Sequence, residues 1–207
     1  MRFLAVGHLQ LNAKVAAFAA VMIALANALS AISLGLTRVG QIGLDFSSIA
    51  VFLAAIYGGP YLGFIVGLLG GIVPGINFGL LGGLGMLGLL GLPLGKSLTG
   101  LTTGLLYKYL KISRRSKPSL LTIPIVLVGY VPEFIFTIIF FIVLVPLVLG
   151  PAPWLTTGLL ISILAKAWFE TFVMSGFMGV LAGNMGFTTF VTGILASPKS
   201  PRILNNN

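Results

Sequence analysis

Residues 119–149 read SLLTIPIVLVGYVPEFIFTIIFFIVLVPLVL. A single charge, Glu133, interrupts the run. Apolar residues follow one another without the polar–apolar alternation of a barrel strand, so the run selects a helix. At about 1.5 Å per residue it exceeds the roughly 30 Å of a bilayer's hydrocarbon core. An ionised carboxylate at that depth costs roughly 2.5–3.5 kcal/mol on insertion scales. Such a group faces a protein interior, a partner charge or a ligand. Pro124, Pro132 and Pro146 predict that this helix bends or breaks.

The rest of the chain repeats the pattern. Mean hydropathy is +1.12. Hydrophobic residues make up 57% of the chain and charged residues 7%, against about 25% charge in an ordinary soluble domain. With about 20 residues per crossing, 207 residues allow roughly six spans and no separate soluble domain. The expected architecture is therefore an all-α, six-transmembrane-helix bundle, one integral membrane domain over residues 1–207. A net charge of +9 would suggest nucleic acid in a soluble protein. Here it marks cytoplasmic loops, and no nucleic-acid partner is expected. Cysteine is absent and His8 is the only histidine, so neither a thiolate nor a histidine-rich metal site is expected, and no cofactor is implied. The first apolar run is too long for a signal peptide and is read as a mature helix.

The expected helices are 13–36, 46–56, 61–80, 94–112, 119–149 and 155–182. Asp45 is read as the cap of the second, which at about 17 Å cannot cross alone unless its loop sinks. Pro74 predicts a kink in the third. Residues 82–95 are rich in glycine and read as irregular. Trp154 suits the interface, and 187–196 is too short to span. Lys108, Lys111, Arg114, Arg115 and Lys117 form a basic loop, which the positive-inside rule places in the cytoplasm. Six crossings then put both termini in the cytoplasm, where Arg2, Lys14, Lys199 and Arg202 agree. The chain reads as a multi-pass protein of the cell membrane.

The chain holds only three acidic residues, and Glu133 and Glu170 lie inside apolar stretches. Glu133 is about 21 Å along its helix and Lys166 about 18 Å along the next, so the two can meet near the midplane. Lys96 is expected to open the fourth helix near the outer face. Together they predict a mixed-charge pocket open to the outside, suited to a zwitterionic or carboxylate-bearing ligand. Asn77 and Tyr130 are further candidates for its lining, with Trp168 nearby. The competing reading is structural: Lys166 and Glu170 pair at i,i+4, and Lys96 snorkels to the headgroups. GLPLGKS at 91–97 resembles a phosphate loop, but Leu90 stands where its first glycine belongs. No catalytic constellation emerges, and the chain is not expected to be an enzyme.

Glycine recurs every fourth residue from Gly59 to Gly83, a ridge for close helix packing. Ala16, Ala20, Ala24 and Ala28 form a similar row on the first helix, for packing within the bundle or docking a separate membrane subunit.

Three segments carry a family resemblance: AKVAAFAA at 13–20, LDFSSIAVFLAAIYGGPYLG at 44–63, and GKSLTGLTTGLLY at 95–107 with the basic loop after it. In order and spacing they resemble the substrate-binding S components of energy-coupling factor transporters. That resemblance implies a vitamin-capture subunit that associates with a transmembrane coupling subunit and cytoplasmic ATPase subunits. It implies that Ala16, Ala20 and Ala24 dock the coupling subunit, with Ala13 and Ala17 an alternative register. It carries over no substrate residue. The rival expectation is a self-sufficient proton-coupled secondary transporter or channel using Glu133 or Glu170, and a third is an assembly protein.

Overall fold

The computed structural model describes residues 13–37, 43–150 and 157–196, all helix and connecting turns with no strand among them. Each of the six expected segments is helical. We label them α1 (Ala13–Thr37), α2 (Ser48–Gly58), α3 (Pro60–Leu80), α4 (Gly85–Tyr109), α5 (Pro118–Leu149) and α6 (Thr157–Gly183). A short α7 (Met185–Leu195) follows. Among the described residues four helices, α1, α3, α5 and α6, are long and apolar enough to cross a membrane. Their outward residues are apolar, among them Leu36, Val128, Leu147, Phe172 and Val180, a surface that water does not tolerate over so large an area.

α4 corrects the sequence expectation most. Residues 82–84 form the irregular turn that the glycines predict, but 85–95 are helical: the helix begins at Gly85 and runs 25 residues through Pro93. Glycine disfavours helix by its freedom in the unfolded chain, but packing against α3 outweighs that preference here. A Cβ on Gly67 would lie 2.6 Å from the Lys96 carbonyl oxygen, and one on Gly71 equally close to Pro93 Cα. Gly63 and Gly100 face each other in the same way. The glycine ridge is thus an internal seam, and it fixes Lys96 against α3.

Three further differences have local causes. α2 begins at Ser48, two residues late, because the Asp45 carboxylate accepts from the Ser47 amide at 3.0 Å in a turn ahead of the helix. α5 does not break at its prolines; it continues helical to Leu149 with one π-helical segment at Phe140–Leu144. In α3 the break falls at Gly71, one turn ahead of Pro74, whose ring crowds the preceding turn. Asn27 of α1 repairs that break. Its Nδ2 donates to the Leu69 carbonyl at 3.0 Å, and its Oδ1 accepts from Val73 N at 3.0 Å.

α7 does not lie apart. Its Val191 is buried in the cluster of Phe18, Val51 and Leu62, and Phe187 meets Tyr57 edge-on at 5.8 Å. Arg38, Trp154, His8 and the terminal cations beyond Lys14 lie outside the described residues.

Candidate functional site

Residues 43–47, ahead of α2, descend into the bundle. Leu44 N donates to Thr37 Oγ1 at 2.8 Å, and Phe46 N to Ser33 Oγ at 3.4 Å, tying the loop to the last turns of α1. Asp45 then reaches Lys96, roughly 17 Å beyond the start of α4. Lys96 Nζ lies 2.7 Å from Asp45 Oδ2, both side chains being under a tenth exposed. The same ammonium donates to the hydroxyls of Ser47 and Ser48. The sequence placed Lys96 near the outer headgroups; the correction follows from the earlier start of α4, which leaves it deep in the helix with no route to snorkel.

A second ion pair joins α6 to the same loop. Lys166 Nζ lies 3.1 Å from Glu170 Oε1, and that oxygen also accepts from the Asp45 amide. The i,i+4 pair foreseen as the structural alternative is therefore formed, and Glu170 has the additional task of holding the sunken loop. Lys166 Nζ also stands 5.7 Å from the centre of the Phe78 ring, within cation–π range.

Glu133 is placed differently. Its Oε2 accepts from Thr99 Oγ1, one turn along α4 from Lys96. Among the described residues it forms no ion pair, and its Oε1 accepts no hydrogen bond. Behind it, Tyr130 packs edge-on against Trp168 at 5.1 Å, and Phe134 meets the same indole at 5.6 Å. These rings fix the α5–α6 contact and so the position of Glu133.

All five charges line one cavity of about 130 Å³, where a single water needs roughly 10–15 Å³. It extends from Gly82 and Leu84 at the α3–α4 turn to Thr171 and Met174 in α6. Phe52, Phe78, Tyr130 and Phe141 supply aromatic wall. Of the five candidates read from sequence, Glu133, Lys166, Lys96 and Tyr130 line this cavity, and Asn77 does not. The Asn77 amide donates to the Val73 carbonyl of its own helix at 3.0 Å. Sequence reasoning missed Asp45, Thr99 and Thr137. Asp45 carried a signal, being the third of only three acids in the chain. Thr99 and Thr137 carried none beyond their spacing from Lys96 and Glu133.

Among the described residues no three carboxylate, imidazole or thiol groups gather closely enough to hold a metal ion. What the arrangement offers is a small, largely apolar chamber with polar groups fixed in its wall, the usual form of a small-molecule site. Comparison of the chain with protein families, curated proteins and solved structures finds no match.

Proposed function

We propose that the chain is the substrate-binding subunit of an ATP-driven uptake transporter of the energy-coupling factor type. In this reading it captures a vitamin-like small molecule in the membrane and hydrolyses no ATP itself. A transmembrane coupling subunit and cytoplasmic ATPase subunits supply the power. All six helices α1–α6 cross the cell membrane, α2 by virtue of its sunken loop, with the basic loop after α4 and both termini in the cytoplasm.

The observation that carries the reading is the cavity, which gathers the side-chain carboxylates of all three acidic residues and two lysines inside a bundle of apolar helices. A protein serving only assembly has no use for so costly a cluster around open space. The outer face of α1 adds support. Ala16, Ala20, Ala24 and Ala28 are all exposed, whereas Phe18, Ala26 and Ser30 on the opposite side are buried. In lipid, where no hydrophobic drive joins helices, an exposed row of small residues favours close docking of another helix.

The test is uptake with and without the ATPase partners. Ala20→Trp should leave ligand binding intact and abolish ATP-dependent uptake. Uptake by the purified chain alone in liposomes, driven by a proton gradient, would instead establish the secondary transporter.

A further inference from the structure

The geometry points to a small organic cation bearing an N–H donor, a protonated amine on an apolar body, as the molecule this cavity takes. The inference rests on the binding-subunit reading and names its ligand class.

Its ground is the distribution of charge around the cavity. Three carboxylates and two ammonium groups line it, one formal negative charge in excess. The two lysines are already engaged, Lys96 with Asp45 at 2.7 Å and Lys166 with Glu170 at 3.1 Å. Lys96 is further held by two serine hydroxyls. A ligand carboxylate would have to displace Asp45 from Lys96, stranding a buried charge, or share Lys166 with Glu170 in a cavity already one negative charge in excess. The sequence expectation of a carboxylate-bearing ligand thereby loses its anchor.

The excess charge falls on Glu133. Thr99 satisfies Oε2, whereas Oε1 has no donor among the described residues. A ligand ammonium or amidinium would supply both the missing positive charge and the missing N–H, a charge-assisted hydrogen bond. Thr137, one turn along α5, offers a second polar contact in the wall. The walls suit the rest of such a molecule. Phe78 already faces the Lys166 ammonium at 5.7 Å, and Phe52 and Phe141 complete an aromatic lining. Aromatic faces attract cations and repel anions.

The test uses benzylammonium as probe, with benzyl alcohol and benzoate as neutral and anionic controls, by thermal shift and saturation-transfer NMR on the detergent-solubilised chain. Benzylammonium should bind saturably and raise the unfolding temperature; benzoate and benzyl alcohol should bind at least tenfold more weakly. Glu133→Gln should weaken benzylammonium at least tenfold, while Glu133→Asp retains part of the affinity. Unliganded Glu133→Gln should be at least as stable as wild type, because it removes a buried charge that forms no direct ion pair among the described residues, while the Gln carbonyl can still accept from Thr99. A structural counter-ion would show the opposite. Benzoate binding as tight as benzylammonium would overturn the inference. So would the absence of a benzylammonium response up to tens of millimolar, or an infrared signature of a protonated Glu133 that persists with the probe bound. ATPase-dependent uptake through a carboxylate-selective cavity would remove this inference alone. An ammonium-selective cavity in a chain that transports unaided would remove only the capture-subunit reading.

Discussion

Lys96→Met is expected to be the most damaging single change in the polar centre, and its magnitude follows from the geometry. The ammonium pairs with Asp45 at 2.7 Å with both side chains nearly sealed from solvent. Removing one partner of a buried pair leaves the other uncompensated, at about 3–5 kcal/mol. Asp45→Asn should cost less, because the stranded Lys96 is still attracted by nearby Glu133. The assay is reversible unfolding of wild type, both single variants and the double variant in detergent. For a chain of this size about 3–5 kcal/mol corresponds to a shift of roughly 10 °C. The double variant should cost much less than the sum of the singles, since contacting charges are not additive. Equal single effects with an additive double would refute the view that this pair holds the sunken loop.

Gly67→Ala should destabilise by about 1–3 kcal/mol, since its Cβ would meet the Lys96 backbone at 2.6 Å. Gly35→Ala, exposed in α1 with nothing within 4 Å, should be neutral or stabilising by up to about 1 kcal/mol; parallel unfolding curves check both. Trp168 lies against Tyr130, which lines the cavity. In a Trp154→Phe background its fluorescence should respond to benzylammonium, and an unchanged spectrum at saturation would place the probe elsewhere.

The helices were legible wherever the apolar runs were unbroken. The run at 119–149 fixed α5 to within a residue because in lipid no competing structure satisfies its backbone. The prolines did not break α5, because a membrane helix tolerates them where its neighbours and local π adjustments compensate. Residues 85–95 were misread for a related reason. Their glycines disfavour helix locally, and the compensation comes from Gly63, Gly67 and Gly71 on a partner some thirty residues away in sequence. Once α4 started at the wrong place, Lys96 was put at the wrong depth.

The site was half legible on the same grounds. Glu133, Lys166 and Glu170 stood out because charge inside an apolar run is rare. Asp45 stood in a polar loop, where a helix cap was a sufficient local explanation. Only the three-dimensional structure shows the loop descending to Lys96 and Glu170. That descent turns a mixed-charge pocket into two closed ion pairs and one remaining carboxylate.

Native mass spectrometry of the gently purified chain tests the central claim most directly, with Ala20→Trp and Glu133→Gln alongside. A vitamin-sized adduct is predicted on wild type and on Ala20→Trp, and it should be lost from Glu133→Gln. An adduct that survives Glu133→Gln unchanged would contradict the account, because the molecule would then be held away from the one carboxylate the cavity leaves without an ionic partner.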